Sequence, residues 1–254
     1  MADVVACEGF ETEEICLLLD LGTNGEMVIG NKDRILTASA AAGPAFEGGN
    51  IICGTASIPG SICQVKIQNQ KAIVRTIKSE MPPNGICGTG LISAMAQLKQ
   101  NKLINEDGEL KHPYHKNGFP LWIFENGEKI ALYQKDIREF QLAKSAIASA
   151  CKVLCMNGNA TYKDIKKLYI AGGFGTHINK YDLAVLGIIP RSLLPRLVTL
   201  GNSAIRGCCR YAILQEKEEM LSIVQKGETI NLAMDPKFSE EFMMNMMFED
   251  AYEN

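Results

Sequence analysis

Asp20 stands at the end of an apolar run and is followed by Leu-Gly-Thr-Asn-Gly25-Glu26. A carboxylate beside a glycine-rich turn suits a phosphate and its cation. Glycines let main-chain N–H groups approach an anion with no Cβ in the way. Asp20 could hold magnesium through water, because that ion prefers oxygen ligands and keeps much of its hydration. A plain hairpin would use the same glycines. A second turn, Gly85-Ile-Cys-Gly-Thr-Gly90, precedes a helical pattern. A phosphate or ribose could sit there, on free N–H groups at the positive end of the helix dipole. It is neither a P-loop, since no Lys-Ser or Lys-Thr follows, nor a dinucleotide fingerprint. Read only as a helix start, it has Thr89 as its cap. A third turn, Gly172-Gly-Phe-Gly175, would let an adenosine or ribose lie against the main chain, or simply turn the chain tightly.

Other reactive residues point to no centre of their own. The nine cysteines include no C-x-x-C pair, and Cys16 and Cys151 fall in apolar patterns. Reduced cysteine acting as a small buried hydrophobe is the expected state, not a self-contained zinc or iron–sulfur site. Cys87, in a glycine turn at a helix start, is where a thiolate would be stabilised. His112, His115 and His177 show no zinc-ligand spacing and are expected to be exposed or structural. No serine has a nucleophile-elbow setting.

The elements that must position these turns follow from periodicity. Ile15–Asp20, a segment from about Glu26, and Arg34–Ser39 read as three strands of an antiparallel meander, with Asn24-Gly25 as its hairpin signal. The Ala42–Gly49 stretch breaks the strands and leads into a short helix. Residues 61–68 and 71–78 read as strands turning at Asn69-Gln70. Leu91 to Gln100 is helical and 105–120 loop-like. Trp122 to Leu132 is a hairpin turning at Asn126-Gly127. Over 134–156, Ile137, Phe140, Ala143, Ile147, Cys151 and Leu154 form an apolar helical stripe. Lys167–Ala171 is a strand, and Gly201-Asn-Ser203 opens a helix to about Glu216. Phe242-Met-Met-Asn-Met-Met-Phe248 is helical or partner-binding. Strands first, then alternation with helices, gives an α/β class with a mixed sheet.

Composition narrows the function. With 26 Lys+Arg, 29 Asp+Glu and 46% hydrophobic residues in 254, the chain has the makeup of a globular protein with a net charge of −3. Disorder and collagen-like repeats are excluded. Nothing in this charge calls for nucleic acid or an anionic membrane as partner. No apolar run nears the roughly 20 residues of a membrane helix, and no signal pattern opens the chain; a cytoplasmic location is expected. The length fits one large domain or two small lobes.

The order of the three turns resembles that of the actin-like ATPases, the superfamily of sugar kinases, actin and heat-shock chaperones. Further motifs narrow this: Ala41–Gly48, Gly85–Ile92, Gln134–Arg138, Ala171–Gly175 and Gly201–Ala204, together with 20–26, resemble the C-terminal ASKHA domain of the reductive activators of corrinoid proteins. The resemblance runs through nearly the whole chain. It implies a ribonuclease H-like, actin-like lobe and a single domain over 1–254. It also implies ATP-dependent return of a cobalt(II) corrinoid, on a methyl-transfer protein, to cobalt(I). Asp20 would orient magnesium-bound water, and Gly22, Thr23, Asn24 and Gly25 would donate to phosphate. Gly88, Thr89 and Gly90 would approach phosphate or ribose. Gly172, Gly173, Phe174 and Gly175 would frame the adenosine. Glu47 would position water, or be merely solvated or capping. Lys144 would reach the nucleotide, although a solvated helix lysine is the simpler reading. A related activator family holds a cluster between subunits with a cysteine in a turn like that of Cys87.

Two departures matter. The chain has no plant-type ferredoxin cysteine run, so the iron–sulfur cluster is expected only on an upstream domain. Only one Asp-x-Gly-Thr loop is present, where the family has another upstream, so the chain reads as one lobe with half of the nucleotide cleft. Expected partners are the corrinoid methyl-transfer protein, the upstream lobe and ferredoxin region, and a second copy in a homodimer. The alternatives are a non-catalytic docking module whose shape the nucleotide sets, and an actin-like small-molecule kinase.

Overall fold

Cys16, Leu17, Leu18 and Leu19 are all buried, so the first strand is covered on both faces. A continuous apolar run is the signature of such a strand. The structure is a computed structural model and describes residues 1–173, 178–213 and 217–248. In chain order the strands are β1 (Cys16–Leu21), β2 (Gly25–Gly30), β3 (Ile35–Ala40), β4 (Ser61–Gln68), β5 (Lys71–Thr76), β6 (Gly85–Ile86), β7 (Phe119–Ile123), β8 (Lys129–Leu132), β9 (Lys167–Ala171), β10 (Leu197–Gly201) and β11 (Gly227–Thr229). The helices are α1 (Ala2–Val5), α2 (Gly88–Gln100), α3 (Tyr114–Asn117), α4 (Gln134–Asn157), α5 (Lys180–Val185), α6 (Ser203–Ile213), α7 (Lys217–Lys226) and α8 (Pro236–Asn245).

The chain divides into two compact units. The described residues of the first fall within Met1–Ala41, Ala146–Ile178 and Ser192–Phe242. Those of the second fall within Ala42–Ser145, Asn179–Arg191 and from Met243 on. The first unit is built on a six-stranded sheet of order β10-β9-β1-β2-β3-β11. β1, β2 and β3 form the antiparallel meander expected from the sequence, while β9 lies parallel to β1 and β10 parallel to β9. Val4, Cys7, Phe10, Cys16, Leu18, Val28, Ile35 and Tyr169 form one apolar cluster of this unit. β10 had no sequence signal: as an edge strand it has no fully buried residue, so apolar and polar positions do not alternate.

The second unit holds the β5-β4-β6 sheet and the β7-β8 hairpin. Asn69 and Gln70 both take positive φ (48° and 60°), so the β4–β5 turn is the two-residue hairpin read from the sequence. Helix α2 lies on β4: Ser93 Oγ takes the Val65 N–H and gives to its carbonyl, each at 3.1 Å. Phe46 meets Phe140 edge to face at 5.8 Å. The apolar stripe of α4 is buried along its whole length. Asn159 (φ 50°), rather than Gly158, takes the left-handed position that ends this helix. The segment 105–120 is less irregular than its composition suggested, since it contains α3 and an isolated bridge from Ile104 to Leu110.

Candidate functional site

In the first unit β1, β9 and β10 run parallel, so their carboxyl ends lie side by side. Asp20 is opposite Ala171, and Ala171 is opposite Gly201. The Gly172 N–H donates to Gly201 O at 2.9 Å and ties two of the ends together. Open α/β sheets bind ligands outside the carboxyl ends of their strands. Gly172 has φ +89°, and a Cβ there would stand 2.7 Å from Asp20 Oδ1 and 2.9 Å from Leu21 O. Both the backbone and the carboxylate therefore require glycine. Among the described residues a Cβ at Gly173 would meet nothing within 4 Å, and the φ is not positive. Packing among the described residues does not call for glycine at 173, while a ligand lying on the main chain would. Phe174, Gly175 and His177 lie outside the described residues.

Asp20 is half-buried, and its carboxyl is pushed up to about 6, first by desolvation and then by Asp3 and Glu26. Glu26 sits directly across the β1–β2 ladder, and like charges so placed repel. Asp3 is close enough to Asp20 to add to that rise. Asp3 also accepts from Ser203 Oγ at 2.6 Å. Ser203 is fully buried at the start of α6, where Asn202 Oδ1 caps the Ile205 N–H at 3.2 Å. α1 is locked onto α6 at Gly207, where a Cβ would fall 1.9 Å from Ala2 O, and Arg210 donates to Val5 O. Asp3 and Ser203 were missed in the sequence. Gly201-Asn-Ser203 carried a helix-start signal, but nothing local to Asp3 places it beside Asp20.

The hairpin itself corrects two expectations. Leu21 pairs with Gly25, so the turn is Gly22-Thr23-Asn24 and Asn24-Gly25 is not a two-residue turn. Gly25 is buried, and a Cβ there would come within 2.1 Å of Ile147 Cδ1. Its smallness lets α4 approach β2. The Gly22 N–H is turned inward, donating to Asn24 O at 3.0 Å. Thr23 and Asn24 remain exposed at the tip.

In the second unit Gly88, Thr89 and Gly90 form the first turn of α2, whose N-cap is Cys87 and not Thr89. Thr89 lies inside the turn, with Oγ1 3.3 Å from Cys87 Sγ. A Cβ at Gly90 would fall 2.0 Å from Ile62 O, so this glycine sets the helix against β4. Cys87 is fully buried, its thiol donating to Ile62 O at 3.3 Å, which is no setting for a cluster shared between subunits. Glu47 is exposed in the 3-10 turn Pro44–Glu47. Lys144 overturns the solvated reading. It is 1% exposed, and Nζ donates to Met247 O at 2.7 Å. Burial, and then Lys99, lower its ammonium to about 7. His115 pairs with Glu109 at 2.9 Å on the surface. No described helix is long and apolar enough to cross a membrane.

Residues 14–253 match the family model described as the C-terminal domain of RACo, the ASKHA domain. The chain belongs to this family. Its fold is accordingly the actin-like one, and the RACo-type ASKHA domain accounts for the order of the motifs. The corrinoid activation enzyme RamQ of Eubacterium limosum is 35% identical over 92% of the chain. The [Co(II) methylated amine-specific corrinoid protein] reductase of Methanosarcina barkeri is 29% identical over 92%. A solved structure titled reductive activator for corrinoid,iron-sulfur protein superposes with a TM-score of 0.88 at 30% identity over 97% of the chain. The chain spans only 43% and 46% of the two curated relatives and 41% of the solved chain.

The first unit of this ASKHA domain fits a nucleotide with a hydrated magnesium ion on two counts. The acidic group Asp3, Asp20 and Glu26 offers only oxygen donors, and its mutual repulsion is what a hard cation would relieve. The Gly172–Gly173 turn is a main-chain surface with open space at Gly173. Among the described residues no three His, Cys, Asp or Glu side chains are grouped to hold a bare ion, so water would complete the shell.

Proposed function

We propose that the chain is the nucleotide-binding and hydrolysing module of a reductive activator of corrinoid proteins. The reading is supported by one observation above others: in a chain of this family, Asp20, the Gly172–Gly173 turn and the start of α6 meet at the carboxyl ends of three parallel strands. Bound magnesium-ATP would supply the free energy that makes an uphill electron transfer to cobalt(II) possible. The chain's own residues would hold and orient it. Asp20 binds water on the cation. Thr23 and Asn24 present the exposed donors of the hairpin tip. Gly172 and Gly173 give the adenosine a wall; Phe174 and Gly175, assigned to the same role by the family resemblance, lie outside the described residues. In the second unit, considered by itself, Gly88 and Thr89 open the first turn of α2 and Glu47 carries an exposed carboxylate, the residues that the family resemblance assigns to phosphate or ribose and to water. Phosphate chemistry of this kind rests on positioning and charge stabilisation.

In this reading the iron–sulfur centre and the first phosphate loop belong to an upstream region, and the electron acceptor is a corrinoid methyl-transfer protein. The names of the relatives support that partner. A second reading, a docking module without turnover, draws on Met243 and Met244, which are 75% and 55% exposed and form an adaptable apolar surface. Calorimetry with magnesium-ATP, on the chain alone and with the upstream lobe added in trans, tests the first reading. Binding is expected in at least the second setting, and silence in both overturns it. Asp20→Ala separates the two: turnover should vanish while binding of the corrinoid protein survives.

A further inference from the structure

Asp136 is fully buried near the start of α4, yet each of its carboxylate oxygens takes a main-chain N–H. Oδ2 accepts from the Tyr133 N–H at 2.8 Å, which closes the first turn of the helix as in a capping box. Oδ1 accepts from the Ile52 N–H, also at 2.8 Å, across 84 residues of chain. A cap alone needs one acceptor, and Ser, Thr or Asn would supply it. Burial pushes the Asp136 carboxyl up, and the two N–H bonds draw it back. Ile52 is 56% exposed, so its own side chain does little to fix it. Two further contacts from α4 reach the same segment. Asn50 Nδ2 donates to Glu139 Oε2 at 3.3 Å, and the Phe46 ring meets that of Phe140. Residues 136, 139 and 140 thus hold 52, 50 and 46, and Glu47 follows directly on the last of these.

The segment passes this hold on in two directions. The Gly54 N–H donates to Ile51 O at 2.9 Å, and a Cβ at Gly54 would fall 1.9 Å from Gly48 O. Gly48, the neighbour of Glu47, therefore lies directly against that turn. On the other side the Thr55 N–H donates to Ile86 O at 2.9 Å and the Ile86 N–H to Cys53 O at 2.8 Å, two residues before Gly88 opens α2. Three of the motifs that carry the family resemblance, Ala41–Gly48, Gly85–Ile92 and Gln134–Arg138, meet here through one carboxylate. Asparagine could not replace it, because its amide would set a donor against one of the two N–H groups. We propose that Asp136 is a positioning residue for the reaction: by fixing Ile52 it sets the Glu47 carboxylate and the first turn of α2 in their places. This inference rests on the proposed function, in which Glu47 acts on water.

The test uses the full chain with the upstream lobe supplied in trans. Asp136→Asn should lower kcat for magnesium-ATP hydrolysis by about 100-fold and leave the nucleotide Kd unchanged. Glu47→Gln should lower kcat as well, and the double variant should lose no more than Glu47→Gln alone. Losses that multiply in the double variant, or a kcat that holds, would leave Asp136 a merely structural cap and overturn the proposal. Should Asp136→Asn not fold, Ile52→Pro takes its place in both measurements. Residue 52 is the second position of the Ile51–Gly54 turn, where proline is favoured, and the change removes the N–H while sparing the cap at Tyr133. Hydrogen exchange separates this inference from the function beneath it. Amides of residues 46–54 and 86–89 should exchange at least about 10-fold faster in either variant than in wild type. Faster exchange in a protein whose wild type turns over no ATP would sink the hydrolytic function and keep the positioning. Unchanged exchange would sink the positioning whatever the turnover.

Discussion

At the scale of single residues, two buried or half-buried charges dominate. Asp20 ionises near 6 in the folded protein against 3.8 in the unfolded chain. The folded form thus holds the extra proton between those values, and this residue's contribution to stability falls as pH rises through that window. Asp20→Asn should raise the apo melting temperature at pH 8, with the gain fading towards pH 4. The same variant should lose the melting shift that magnesium-ATP gives wild type, a difference read by paired thermal scans. Lys144 has the opposite sign. Its pKa is lowered from 10.5 to about 7, so above 7 the unfolded chain holds the proton that the folded form has shed. Stability from this group rises with pH across that range, by at most about 1.4 kcal/mol per unit. Lys144→Met should flatten that slope in urea titrations at pH 7 and 9. A slope equal to that of wild type would mean that the lysine is not titrating there.

At the scale of elements, the glycines separate packing from binding. Gly90→Ala sets a methyl against Ile62 O and should cost about 1–3 kcal/mol in chemical denaturation, by lifting α2 from β4. Gly173→Ala meets no atom of the described residues and should alter stability by less than about 0.5 kcal/mol, yet weaken magnesium-ATP binding in calorimetry. Equal nucleotide affinity in that variant would remove Gly173 from the site. The two glycines look alike in the sequence, because a glycine-rich turn records that a side chain is unwelcome and not what takes its place. Elements with strong local signals were legible: the meander, the Asn69-Gln70 turn, α4 and β9. Gly25 was misread because Ile147, which lies against it, is distant in the chain. Lys144 was misread because its cover comes from Met247 and Phe248. Asp3 escaped for the same reason, as no periodicity brings α1 to β1.

At the scale of the whole molecule, the chain folds into two compact units, the boundary between them falling within the sequence of α4. Family membership was legible because six short motifs keep their order, and order survives when spacing does not. The nine free thiols are distributed unevenly over this architecture. Cys208 and Cys209 face solvent on α6, whereas Cys151 is buried, its thiol 3.7 Å from Met27 Sδ and held far above the usual thiol range by desolvation. An alkylating reagent such as iodoacetamide should mark the α6 pair within minutes and reach Cys151 only when α4 parts from β2. Mass spectrometry of those two sites over time would make the thiols an internal clock, its slow hand recording how often the heart of the first unit opens.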